Sequence, residues 1–312
     1  MKKLEELIAD YLKNCKTIKK LDKKSIKAYR IDLSQFQTFM SGYPAFDDKT
    51  AISNYVSSLH EIYKPKTAKR KIASVKAFFH YLMCEETLIL NPFDKIHLKF
   101  REPQTLPRTI PEATIESLIS TMYRQKHSAR TTCQKKTILR DITIIELLFA
   151  TGVRISELCM LTEKQVDLVS FRILIYGKGS KERMVQIGSN DVKKIISEYY
   201  SVHKDDIRST GWFFINRLHQ RYSEQSVRAM IVKYLNLAMI DMHITPHMFR
   251  HSFATLLLEA DVDIRYIQKM LGHSSIQTTE IYTSVSMTKQ NSILETKHPR
   301  NFMHLGEGTE DN

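Results

Sequence analysis

Apolar residues recur at helical spacing in the first third of the chain. Tyr29, Leu33, Phe36 and Met40 fall at i, i+4, i+7 and i+11, one face of a helix, while Lys23, Lys24, Lys27 and Arg30 decorate the rest. In KPKTAKRKIASVKAFFHYLM the inward stripe is Ile72, Val75, Phe79 and Leu82, and Lys66, Lys69, Arg70, Lys71 and Lys76 crowd the remainder. The opening MKKLEELIADYLKNCK, with acids throughout and no apolar run, reads as a further amphipathic helix and not as a signal peptide. The proline-broken NPFDKIHLKFREPQTLPRTIPEAT has no sustained period and reads as a linker. It places a boundary near Glu102, between an N-terminal helical domain, 1–102, and a second domain, 103–312.

Past the linker, IPEATIESLISTMYR and TILRDITIIELLFATG are predicted helices, the second stopped by Gly152, a residue that adopts a left-handed C-cap at little cost. Between them QKHSARTTCQKK, from Gln125 to Lys136, reads as a basic polar insertion. The period then changes. FRILIYGKGSKERMVQIG holds two β-rich runs around Gly177, Lys178, Gly179 and Ser180, the pattern of a hairpin, and helices resume from Asn190. The expected fold class is therefore mainly α, with a small antiparallel β element in the second domain. The acidic tail GEGTEDN is expected to be loose.

Composition narrows the partners. A length of 312 residues suits two domains, and 42% hydrophobic with 26% charged residues is ordinary for folded protein. Net charge is +13 and the pI about 9.4, which favours a polyanionic partner, nucleic acid first. Through Glu102 there are 20 Lys/Arg against 12 Asp/Glu, so the first third is the more cationic per residue. A basic run is commonly just a solvated helix face. Cations clustered on helices that also carry apolar stripes suit a bundle laid against phosphates, with Lys27, Arg30, Lys66, Lys69, Arg70 and Lys71 as the candidate DNA contacts. Cys15, Cys84, Cys133 and Cys159 show no C-x-x-C spacing, which argues against a zinc cluster or a disulfide framework. The longest apolar run, ITIIELLFA, is interrupted by Glu146 and too short for a bilayer, so a cytoplasmic protein is expected.

Chemistry-bearing residues gather in the second domain. Thr245, Pro246 and His247 are predicted to open a helix, with threonine as cap and proline in the first turn; His247 and Arg250, three apart, are surface neighbours. Phe249, Phe253, Leu256 and Leu257 are expected to face the core. Arg154 follows ATG at a helix joint, aimed into a cleft or simply paired with Glu157. Lys178 sits at the hairpin tip, where an ordinary exposed turn lysine is the plainer alternative. Gly272 ends the helix DIRYIQKML, Ser274 and Gln277 form a capping box for the next, His273 lies in the bend, and Tyr282 near the end of a short helix could serve only packing. Together, two arginines, a lysine, two histidines and a tyrosine are what metal-free attack on a phosphodiester requires: cations for non-bridging oxygens, a proton donor and a nucleophile.

The ordered motifs ATGVRISEL, GKGSKERMV, TPHMFRHSFAT and LGHSSIQTTEIYT resemble those of the tyrosine recombinase (phage integrase) family, most closely its compact Xer-like members. The resemblance covers Ile110 to about Thr283 by motif, and the basic N-terminal half looks like the family's SAM-like core-binding domain. It implies that Arg154 and Arg250 clamp the scissile phosphate, Lys178 protonates the leaving 5′-oxygen, His247 and His273 assist, and Tyr282 attacks. It also implies a 3′-phosphotyrosyl intermediate and a Holliday junction, with no cofactor, metal or ATP. The implied partners are duplex DNA with inverted half-sites and further subunits, as a tetramer on two DNA sites, with or without a related recombinase. In such proteins a C-terminal segment docks on a neighbouring subunit, a role open to SILETKHPRNFMHL. Rival readings are a type IB topoisomerase, a zinc site on His247 and His251, which lacks the glutamate of H-E-x-x-H because Met248 stands there, and a DNA-binding protein without chemistry.

Overall fold

The computed structural model describes residues 3–94, 96, 108–177 and 182–272. It divides into two compact units, Met1–Gln104 and Thr105–Asn312. Residues 97–107 of the expected linker lie outside the described residues, as do Lys178, His273, Tyr282, the Ser274–Gln277 capping box and the C-terminal segment.

In the first unit the described helices are α1 (Leu4–Thr17), α2 (Lys23–Met40), α3 (Lys49–Ile62) and α4 (Pro65–Cys84). Their starts follow from local chemistry. The carboxylates of Asp22 and Asp48 accept the N–H groups of Ser25 and Ala51 at 2.8 Å, and Pro65 opens α4 where a missing N–H costs nothing. Leu33, Phe36 and Met40 from α2 and Ile72, Val75, Phe79 and Leu82 from α4 are buried as the stripes predict, with Tyr29 packed at the rim. Tyr11, Phe36, Phe78, Phe79 and Phe93 form the centre of this core, and Phe36 meets Phe79 edge-on with centroids 5.9 Å apart.

The basic face of α4 corrects the sequence reading. Asp32 of α2 is fully buried and gathers Arg70 Nη2 at 2.9 Å, Lys71 Nζ at 3.2 Å and Ser74 Oγ at 2.7 Å. Arg70 adds a second bond from Nη1, and Lys71, only 3% exposed, also reaches Gln35 and lies 4.8 Å from the centre of the Tyr63 ring. A buried carboxylate without such partners would cost several kcal/mol, so Arg70 and Lys71 are committed to joining α2 and α4. Lys71 is no exposed phosphate contact. Lys27, Arg30, Lys66 and Lys69 do present exposed side chains.

The second unit is built around α6 (Thr132–Thr151), with α5 (Glu112–Ser128), α8 (Asn190–Thr210) and α10 (Pro246–Glu259) packed on it. Ile138, Leu139, Ile142, Ile144, Ile145, Leu147 and Leu148 are buried, so this helix is enclosed nearly all round. The expected insertion is mostly helix: residues 125–128 finish α5, residues from 132 begin α6, and only 129–131 connect them. A reciprocal box sets that start, with Thr131 Oγ1 accepting the Gln134 N–H at 3.2 Å and Gln134 Oε1 accepting the Thr131 N–H at 3.3 Å.

After α7 (Ile155–Cys159) comes an antiparallel sheet in the order β1 (Val166–Asp167), β2 (Arg172–Tyr176), β3 (Glu182–Gln186). Ile173 pairs with Val185 and Ile175 with Arg183, which turns Ile173, Ile175 and Val185 into the core and places Arg183 on the same inward face. Beyond α9 (Glu224–Leu237), α10 and α11 (Ile264–Leu271) share a separate small cluster of Ala254, Leu258, Ile267 and Leu271. On α10, Phe249 is fully buried, whereas Phe253, Leu256 and Leu257 are half-buried. Among the described residues no helix is long and apolar enough to cross a membrane.

Candidate active site

The C-terminal end of α6 creates the first part of the site. Gly152 takes the left-handed conformation at φ 60° and donates its N–H back to Leu148 at 3.2 Å. A Cβ there would stand 2.6 Å from the Phe253 ring and 2.8 Å from Leu271, so backbone strain and space both demand glycine. The turn delivers Arg154 to the start of α7. Its backbone N–H reaches Glu157 Oε2 at 2.9 Å and its Nη1 reaches Oε1 at 2.8 Å, yet the side chain stays 36% exposed. The two sequence alternatives therefore coexist: Arg154 is paired with Glu157 and still open to a ligand.

Arg250 comes from α10 and is 4% exposed, so it is buried and not the surface neighbour of His247 that the i, i+3 spacing suggests. Its Nη1 donates to the Gly152 carbonyl and its Nη2 to the Leu271 carbonyl, each at 2.7 Å. One guanidinium thus ties the α6 end, two residues before Arg154, to the α11 end, two residues before His273. His247 lies in the first turn of the same helix with an accessible ring. Thr245 occupies the N-cap position, but its side chain makes no cap bond, so the expected threonine cap is not formed. Partial burial first, then the charges of Arg250, Arg228 and Arg154, push the His247 pKa below its ordinary 6.5, with Glu224 opposing. That cationic field marks a place where an anion is welcome.

The acid behind Arg154 is more elaborate than the sequence reading foresaw. Glu157 also accepts Arg183 Nη1 at 2.9 Å and Nη2 at 2.6 Å. Burial pushes the Glu157 carboxyl up, but the bonds from Arg183 and Arg154 outweigh it and bring the pKa below the usual carboxylate value. Arg183 was missed; its only sequence signal is the alternation that turns it inward with Val185. The structure brings Arg154, His247 and Arg250 together, while Lys178, His273 and Tyr282 lie outside the described residues. Among the described residues no three His, Cys, Asp or Glu side chains gather to hold a metal ion.

The phage integrase family model matches residues 108–289, and the SAM-like N-terminal domain model of phage integrases matches residues 8–86. The chain belongs to the phage integrase family. A tyrosine recombinase of Agathobacter rectalis is 52% identical over 306 residues, spanning 98% of this chain and all of that one. The tyrosine recombinase XerD of Staphylococcus haemolyticus is 32% identical over 309 residues, 95% of this chain and all of its own. A crystal structure of the XerH site-specific recombinase bound to its palindromic difH substrate shares the fold, with a TM-score of 0.73 at 21% identity, covering 94% of this chain and 84% of that one. Within the integrase family the first unit is thus the SAM-like part and the second holds the site described above.

Bound phosphate should leave a titration signature at His247. An anion beside Arg154 and Arg250 would cancel part of the field that depresses its pKa, so the bound value is expected above the free one and binding is expected to take up a proton. Affinity for a site duplex is therefore expected to rise as pH falls through the interval between the bound and the free pKa of His247, and His247→Gln to flatten that slope. Equal slopes for the two proteins in binding titrations would remove His247 from the phosphate site.

Proposed function

We propose that the chain is a site-specific recombinase that cuts and rejoins duplex DNA through Tyr282. Arg154 and Arg250 bind the non-bridging oxygens of the scissile phosphate. The Tyr282 oxygen attacks phosphorus, the bond to the 5′-oxygen breaks, and Lys178 supplies the proton that the leaving oxygen takes up, while His247 and His273 assist proton transfer. The energy of the broken DNA bond is kept in a 3′-phosphotyrosyl ester, so a 5′-hydroxyl from another strand can reverse the step without ATP. Two rounds of such exchange pass through a Holliday junction. The observation that carries this reading is the Arg250 guanidinium, which fixes the α6 end preceding Arg154 and the α11 end preceding His273 in one frame.

The reading extends to partners: inverted half-sites in duplex DNA, a tetramer assembled on two such sites, and a cytoplasmic setting. The exposed Lys27, Arg30, Lys66 and Lys69 of the N-terminal unit are the proposed phosphate contacts, with Arg70 contributing only from its solvent-facing edge. With a site selected from a random duplex library, the enzyme is expected to join two plasmid-borne copies in the presence of a chelator. Relaxation of any plasmid without joining would instead indicate a topoisomerase. Replacing Lys66 and Lys69 with alanine is expected to lower the slope of log affinity against log salt by about 1 to 2. An unchanged slope would take those lysines off the DNA.

A further inference from the structure

Resting on this reading of the site, we propose that Arg183 is a positioning residue for DNA cleavage: it neutralises Glu157, so that the charge of Arg154 remains available to the phosphate. Arg183 points inward from β3 opposite Ile175, and its side chain is 11% exposed. Its two terminal nitrogens take both oxygens of Glu157, at 2.9 and 2.6 Å, while Nε donates to the Met270 carbonyl at 3.2 Å. The same carboxylate accepts the Arg154 backbone N–H and Nη1. One buried acid therefore stands between two guanidiniums, and the trio carries a net charge of about +1.

Take Arg183 away and the balance changes. Glu157 then has Arg154 as its one remaining guanidinium among the bonds described, the pair is neutral, and the Arg154 charge is spent on the protein's own carboxylate rather than on DNA. Arg183 also sets the end of α11. Gly272 packs so closely on it that a Cβ would meet Arg183 Cδ at 2.8 Å and Nε at 3.2 Å, and Gly272 has φ +67°. A single side chain thus ties the acid that orients Arg154 to the helix end after which His273 follows.

The test compares two leaving-strand-identical suicide duplexes carrying the selected site. One has the normal scissile phosphodiester; the other has a methylphosphonate there, which lacks the negative charge Arg154 answers. Single-turnover cleavage is measured at saturating DNA, with site affinity as the check on folding. Arg183→Met, which keeps the apolar stem, is expected to slow phosphodiester cleavage about 100-fold and methylphosphonate cleavage less than about 5-fold, with Arg183→Lys between Arg183→Met and the parent. Arg154→Ala is the benchmark and should show the same relief. Equal losses on both duplexes, which a merely structural arginine would produce, overturn the proposal, as does no loss on either. If Arg183→Met fails to bind the site duplex, the ratio of the two losses in Arg183→Lys decides by the same criterion. Relief in Arg154→Ala without relief at Arg183 refutes the role of Arg183 alone; a parent enzyme that forms no covalent adduct refutes the cleavage reading beneath it.

Discussion

Tyr282→Phe is expected to abolish covalent attachment to a nicked suicide duplex while leaving site affinity within about threefold, since only one oxygen is removed and binding rests on cations elsewhere. A phenol with an ordinary pKa near 10 is a poor nucleophile at neutral pH, so it depends on neighbours that stabilise the transition-state charge. In the proposed reading those neighbours are Arg154, Arg250 and His247. No water or metal-bound hydroxide takes the place of the missing oxygen in this scheme, so the loss is one of kind and not of degree. A gel that still shows protein–DNA adduct with Tyr282→Phe would mean that another residue attacks.

Arg250→Ala is expected to reduce cleavage about 100- to 1000-fold, the range seen when a preorganised donor to developing negative charge is lost. It should also lower stability, because bonds from its Nη1 and Nη2 run to the carbonyls of Gly152 and Leu271 in a buried setting. Charged hydrogen bonds of that kind contribute about 1.5–3 kcal/mol each, and the stranded carbonyls add to the cost. Arg250→Lys separates the two effects. A lysine retains positive charge but cannot span two carbonyls and a phosphate with one planar fork, so cleavage should stay low even in protein that melts near the parent temperature. Near-normal cleavage by Arg250→Lys would show that charge alone suffices and that the bridging geometry has no catalytic role.

How much of this was legible in the sequence depended on whether the deciding partner was local. The stripes through Leu33, Phe36 and Met40 and through Ile72, Val75, Phe79 and Leu82 needed only helical periodicity, and both bury as read. α3 was not singled out, although Ile52, Tyr55, Val56 and Leu59 bury on one face of it. Lys71 was misplaced because its partner, Asp32, lies in another helix and no spacing rule connects them. The stretch from Gln125 to Lys136 looked like an insertion because exposed helix ends are polar and lose their apolar rhythm; the Thr131–Gln134 box was the available clue. At the site, glycine chemistry made the α6 stop visible at Gly152 and the α11 stop at Gly272. The burial of Arg250 was hidden, since its acceptors are backbone carbonyls, which leave no mark in a sequence. Arg183 lay between: an arginine on the inward parity of a strand calls for a buried acid, and Glu157 is that acid.

The most direct measurement is the chemical identity of the enzyme–DNA link. The protein is trapped on a suicide duplex, digested, and the DNA-bearing peptide is sequenced by mass spectrometry. A 3′-phosphate esterified to Tyr282, absent when Arg154 is replaced by alanine, is the predicted result. Attachment through any other residue, or through a 5′-phosphate, contradicts it.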